Sequence, residues 1–172
     1  MESLAALFNH PVLVIISGLL TLLVIVNTLI NLYLVITGML PVWRRLGLSL
    51  SRRKIAIFAD DKYSELKDIL VDSGMFKARN IIKVDRGSLH KTEDVSFYIV
   101  HYAAYKEVLN KIMAMKKDGD TLVVYAPQDE GKLDQEAVQS LNAHRNSIMV
   151  NMRGRLLNDV LTSMITTSFK AD

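Results

Sequence analysis

The chain has no cysteine, three prolines and one tryptophan in 172 residues. Without thiols it carries no disulfide staple and no thiolate metal or redox centre, which fits a reducing compartment. Its four histidines are scattered and have no zinc-ligand spacing. Neither GxGxxG nor GxxxxGK[ST] occurs, so the sequence offers no glycine-rich phosphate cradle. Internal repeats and low-complexity segments are missing too. The most telling lack is local: from Pro11 to Leu40, PVLVIISGLLTLLVIVNTLINLYLVITGML, thirty residues pass without a formally charged side chain.

Such a run reads as a transmembrane helix, because buried helices of soluble domains rarely go so long without charge. At 1.5 Å per residue it reaches about 45 Å, against roughly 30 Å of hydrocarbon, so one tilted span fits and two do not. A cleaved signal peptide is disfavoured: the run is about twice a secretory core, and the flank MESLAALFNH brings Glu2 but no Lys or Arg. Trp43 beside Arg44 and Arg45 has the make-up of an interfacial belt, and Arg52, Arg53 and Lys54 follow. The positive-inside rule then predicts a single-pass protein of an inner or plasma membrane, with the carboxyl-terminal part in the cytoplasm. The net charge of +3 is concentrated at this border, where anionic lipid accounts for it, and direct nucleic-acid binding is not expected.

Within the span Ser17, Thr21, Val24, Thr28, Asn31, Val35 and Gly38 recur at alternating steps of four and three, with Asn27 one turn before Asn31. Small and polar residues on one seam let helix backbones approach and need polar partners in lipid. Ser17, Thr21, Thr28, Asn31 and Gly38 are therefore the candidate interface of a homo-oligomer, with a water-filled pore as one form of it. The alternative is a lipid-facing anchor whose hydroxyls bond their own backbone.

The organisation that follows is a short extracytoplasmic or interfacial segment at 1–10, a transmembrane helix at 11–43, a basic juxtamembrane linker at 44–53 and a cytoplasmic domain at 54–172. The last has about 120 residues, enough for one real core. Strand signals fall at Lys54 to Ala59, Asn80 to Val84, Val95 to Val100, Thr121 to Ala126 and Ser147 to Asn151, alternating with helical periodicity. Gly74 is the expected stop of the first helix, and His101 leads into a second, with Tyr105, Val108, Leu109, Ile112 and Met113 on its face, that Lys116, Lys117, Asp118 and Gly119 close. Five strand and helix pairs without a hairpin signal predict an α/β fold, a flavodoxin-like (βα)5 domain with a parallel sheet in the order 2-1-3-4-5. Chemistry in such a sheet gathers at the carboxyl ends of its strands.

Asp60 and Asp61, at the end of the first strand, have the oxygen ligands to hold Mg²⁺ or to cap the next helix. An acidic pair after strand one of a five-stranded fold resembles the receiver domains of bacterial phosphorelays. In those, an aspartate closes strand three, where this chain has His101; Ala126 stands in place of the hydroxyl residue after strand four, and Asn151 and Met152 in place of the lysine after strand five. The layout also resembles TIR-type domains, which implies a catalytic glutamate on a mid-domain helix, here Glu107. It is similar as well to the ligand-binding domains of membrane-linked antiviral effectors, which implies a nucleotide messenger as ligand.

The segment NMRGRLLND delivers Asn151, Arg153, Gly154 and Arg155 to the start of the last helix, where amides and guanidinium groups favour an anion. The same arginines can instead pair with Asp159 or with the acidic loop from Gln128 to Gly131, or face a neighbouring subunit. His90 and His144 read as solvated loop or helix-end residues, whereas His101 is aimed at the sheet edge. Tyr98, Tyr102, Tyr105 and Tyr125 either line a base-binding pocket or pack on the sheet, and packing is the commoner use.

Together these residues predict a signalling or effector protein, non-enzymatic in preference to enzymatic, in which Asp60, Asp61, His101, Asn151, Arg153, Gly154 and Arg155 bind a nucleotide, another anionic ligand or a protein partner. Binding would control self-association of the span, as a pore in bacterial antiviral defence on the last resemblance. The alternatives are an anchored nucleotide-processing enzyme and a subunit that localises a soluble partner. The sequence names no cofactor.

Overall fold

The computed structural model describes residues 10–92 and 94–167, without the side chains of Arg45, Ser49, His90 and Lys91. Apart from His10, the segment expected to form an interfacial helix lies outside the described residues. The chain divides into two units, Met1–Trp43 and Arg44–Asp172.

Helix α1, Pro11–Leu34, starts with proline in its first turn, where the missing N–H is no loss. A π turn, Val35–Met39, and then α2, Leu40–Arg52, continue the helical run. The run Pro11–Arg52 spans 42 residues and, among the described residues, is the one helix long and apolar enough to cross a membrane. It buries none of its large apolar side chains before Trp43: Leu23 is 66% exposed and Tyr33 65%. Water does not tolerate a continuous apolar surface of that size, so lipid or other helices must cover it. The stretch expected as a linker is helical through Arg52. Pro41 sits in the first turn, nothing after it breaks the helix, and Leu46 and Leu50, one turn apart, are both partly buried.

In the second unit the strands are β1 Ile55–Phe58, β2 Ile81–Lys83, β3 Phe97–His101, β4 Thr121–Tyr125 and β5 Ser147–Val150. They form one parallel sheet in the order β2-β1-β3-β4-β5, the predicted flavodoxin-like arrangement. Ile55 lies opposite both Ile81 and Phe97, and Phe97 opposite Thr121. β1, β3 and β4 are buried at every position because helices cover both faces.

Successive side chains alternate between two cores. Ala56, Phe58, Tyr98, Val100, Leu122 and Val124 meet α4 (Tyr102–Tyr105), α5 (Leu109–Met115) and α6 (Gln135–Ala143). Ile55, Ile57, Phe97, Ile99, Val123 and Tyr125 meet α3 (Tyr63–Asp72) and α7 (Leu156–Thr166). The four tyrosines named above are all buried in these cores, so packing is their use.

Gly74, at φ +71°, ends α3 as expected, and its N–H donates to the Val71 carbonyl at 2.9 Å. The second helix is broken, contrary to expectation, by a 3₁₀ turn at Lys106–Val108. Tyr105 leaves helical geometry there, at φ −118° and ψ 17°, with its ring 1% exposed and its hydroxyl donating to Asp60 Oδ1 and the Val84 carbonyl. Seating that side chain outweighs local helix preference.

Where the strands begin, Arg53 is buried at 1% exposure. Its guanidinium donates from Nε to Ser96 Oγ at 3.0 Å, from Nη1 to Thr167 Oγ1 at 2.8 Å, and from Nη2 to the Ser96 carbonyl at 2.7 Å and Thr121 Oγ1 at 3.2 Å. It also lies over the Phe97 ring, 5.2 Å from the centroid. One side chain thus ties the entry to β1, the starts of β3 and β4, and the end of α7.

Candidate functional site

At the opposite edge, where the strands end, each βα connection contributes an ionisable side chain. Asp60 follows β1, Arg86 follows β2, His101 closes β3, Glu130 lies after β4 and Arg153 after β5. These groups form two networks.

In the first, the Asp60 carboxylate accepts from Arg86 Nη2 at 3.2 Å and from the Tyr105 hydroxyl at 3.0 Å. Arg86 also donates to the Ala104 carbonyl at 2.6 Å and lies over the Tyr105 ring. Burial, then the hydrogen bond to Asp60, push the Tyr105 phenol up to about 12, so it stays a proton donor at neutral pH. The expected capping is not found: α3 has Lys62 at its N-cap position and no side-chain cap, because the Asp60 carboxylate is engaged elsewhere. Asp61 is exposed and joins no ion pair among the described residues. No group of three His, Asp or Glu side chains among those residues is placed to hold a metal ion.

The second network alternates cations and carboxylates from Arg153 to Glu130 and ends on His101. Arg153 Nη1 meets Glu65 Oε1 at 3.2 Å; Lys62 Nζ bridges Glu65 Oε2 at 3.3 Å and Glu130 Oε1 at 3.0 Å; Glu130 Oε2 meets His101 Nε2. His101 is 5% exposed, and its Nδ1 is buried without a partner among the described residues. Burial tends to raise the Glu130 carboxyl, but the hydrogen bonds from Lys62 and His101 outweigh it and hold the group below its ordinary value. Lys62 is pushed up by its hydrogen bonds to Glu130 and Glu65.

Beside this network opens a cleft of about 540 Å³, lined by Ala126, Gln128, Gly131, Lys132, Leu133, Val138, Met149 and Asn151. The segment that carries Glu130, a 3₁₀ turn at Gln128–Glu130 followed by Gly131 at φ +108°, supplies one wall. A shallower hollow of about 420 Å³ lies along α3 and includes Glu65 and Arg153.

The predicted residues are thus distributed. Asn151 lines the first cleft and Arg153 the second, while Arg155 pairs with Asp159 at 3.6 Å, one of the partners weighed for it. Gly154 is exposed in the 3₁₀ turn Arg153–Arg155. Glu107, the position implied by the TIR-type resemblance, is exposed on the 3₁₀ turn after α4. His144, at the end of α6, donates from Nδ1 to the Ser140 carbonyl at 2.7 Å, and the His90 side chain is outside the described residues. Lys62, Glu65, Arg86 and Glu130 were not singled out by their sequence context, since an ion pair between residues far apart in the chain has no local signature.

No family model, curated protein or solved structure matches this chain. Its flavodoxin-like character rests on strand order and the parallel crossovers themselves. That fold, with the apolar helix ahead of it, describes a membrane-tethered α/β domain of signalling type.

Proposed function

We propose that the domain binds an anionic, nucleotide-sized ligand at the carboxyl edge of its sheet, and that binding sets the self-association of the apolar helix. The observation that carries this reading is the 540 Å³ cleft beside a charge network drawn from β1, β3, β4 and β5, with Lys132, Gln128 and Asn151 in its wall. Ligand pockets of about 300 to 1,000 Å³ are typical, and in open parallel sheets they lie at this edge. The basic flank from Arg44 to Lys54 supports a cytoplasmic location for the domain. A messenger nucleotide released during infection of a bacterial cell, with membrane permeabilisation as its effect, is the biological setting this mechanism suits.

The test uses the full-length protein in liposomes loaded with dye, to which linear and cyclic mono- and oligonucleotides are added in turn. One class is expected to change both the cross-linked oligomer size and dye leakage. Unchanged size and leakage across all of them would overturn the proposal.

One observation favours an enzymatic reading. His101 is oriented through Nε2 by Glu130, and its Nδ1, buried and without a partner among the described residues, would act as a general base once the edge opens to a substrate. Turnover of a nucleotide by the wild type, lost in His101→Ala and retained in Arg155→Ala, would establish it in place of passive binding.

A further inference from the structure

Lys62, His101 and Arg153 converge on two carboxylates, Glu65 and Glu130, and the two differ in how they are held. Glu65 sits inside α3, fixed by the helix. Glu130 sits on a single 3₁₀ turn between Pro127 and Gly131, in which Glu130 N–H donates to the Pro127 carbonyl at 3.1 Å. Its side chain ties that turn to Lys62, at the N-cap position of α3, and to His101 on β3.

We infer that the Glu130 carboxylate is an internal stand-in for a ligand's oxyanion, which Lys62 and His101 bind when the Gln128–Glu130 turn swings away. The inference rests on the anionic-ligand reading above and assigns the subsite that the anion occupies.

Three features carry it. With Glu130 withdrawn, Lys62 keeps Glu65 as its one ion-pair partner among the described residues and shares it with Arg153. An ammonium is thus freed beside a buried imidazole, while Asp68 and Asp72 lie with Arg153 along the α3 hollow. Carboxylate and phosphoryl oxygens accept the same ammonium and imidazole donors at the same distances, so one replaces the other without rebuilding the site. The moving turn also forms a wall of the 540 Å³ cleft through Gln128 and Gly131, and its displacement joins the cleft to the seat. His101 Nδ1 is buried and has no partner among the described residues; with Nε2–H donating to the anion it is an acceptor, open to a water and not to the oxyanion itself. A carboxylate that competes for the seat lowers apparent affinity by the fraction of time it is bound: a latch closed nine-tenths of the time costs about tenfold.

The experiment titrates inorganic phosphate into the full-length protein in nanodiscs, by calorimetry, for the wild type, Glu130→Gln, Glu130→Asp and Lys62→Gln combined with Glu130→Gln. Thermal melts of each variant establish that it is folded. Glu130→Gln is expected to bind phosphate about tenfold more tightly than the wild type, Glu130→Asp to fall between them, and the double variant to lose the gain. Equal affinity in folded wild type and Glu130→Gln, or no binding by either, would overturn the inference. A gain that persists in the double variant would overturn the assignment of Lys62. If the gain is seen while no nucleotide alters oligomer size, the subsite stands and the coupling to the helix falls. If nucleotides act on the wild type and Glu130→Gln changes nothing, the reverse holds.

Discussion

Arg53 and Glu130 illustrate two opposite fates of a charged residue. Arg53 is fully enclosed, and burial lowers it to about 10, against which Asp120 acts only in part. It remains protonated at neutral pH, so its fork of donors is filled by Ser96, Thr121 and Thr167. Arg53→Ala would leave those oxygens without their partner and open a void, a loss of about 3 kcal/mol. Urea unfolding of the full chain in detergent, followed by circular dichroism, measures it, and Arg53→Lys should recover only part because an ammonium cannot reach all four acceptors. Glu130 is held at the surface with its carboxyl below the ordinary 4.5. Between those two values the unfolded chain binds the proton and the folded one does not, so the contribution is complete above about 4.5 and disappears as pH falls through the depressed value. The stability difference between wild type and Glu130→Gln is therefore expected to shrink from pH 7 to pH 3. Neither residue was legible beforehand. Arg53 stands in the run Arg52, Arg53, Lys54 and looks like its neighbours; only its position just ahead of an apolar strand distinguishes it. Glu130 and His101 meet across 29 residues, and periodicity is silent about that.

Elements were far more legible than side-chain partners, and the reason is physical. Strands covered on both faces read as near-continuous apolar runs, so KIAIFA, VSFYIV and TLVVYA carry their own assignment, and β1, β3 and β4 fall inside them or within one residue. Parallel pairing then follows from the helices between them. The helix after β3 failed as a single element because Tyr105 is fixed by Asp60 and the Val84 carbonyl, contacts that local pattern does not encode. Helix ends follow local rules and can be tested as such. Gly74 holds φ +71°, so Gly74→Ala should cost about 1 kcal/mol by forcing a side chain into the left-handed region. A Cβ there would meet nothing within 4 Å, which leaves backbone strain as the cause. At the start of α6, Asp134 Oδ1 accepts the Ala137 N–H at 2.8 Å, and this bond, followed by Lys106, holds its carboxyl low. Asp134→Ala should lower the melting temperature, whereas Asp134→Asn, which preserves the acceptor, should recover most of the difference.

For the whole molecule the decisive surface is α1. Its hydroxyls do not need a partner helix: Ser17 donates to the Val14 carbonyl at 3.0 Å, Thr21 to Ser17 at 2.8 Å and Thr28 to Val24 at 2.8 Å. The π turn changes the helix phase from Val35 onward, and Gly38 lies within it, so the seam that runs from Ser17 to Asn31 does not continue through Gly38 at the same angle. The carboxamides are different. Asn31 Nδ2 donates to the Asn27 carbonyl at 2.9 Å and to Asn27 Oδ1 at 3.3 Å, which leaves Asn27 Nδ2 and Asn31 Oδ1 unbonded among the described residues. One leftover donor and one leftover acceptor, a turn apart, are complementary to the same pair on another copy, and interhelical bonds of this kind in lipid are worth about 0.6 to 2 kcal/mol. If self-association is the output of the protein, Asn27→Leu with Asn31→Leu should shift the monomer-oligomer balance in liposomes toward monomer by about three- to thirtyfold. Thr21→Val with Thr28→Val, which removes hydroxyls already satisfied within their own helix, should leave it nearly unchanged. Equal effects of the two double variants, read by fluorescence energy transfer between labelled copies, would instead mark the seam as a surface that packs by shape alone.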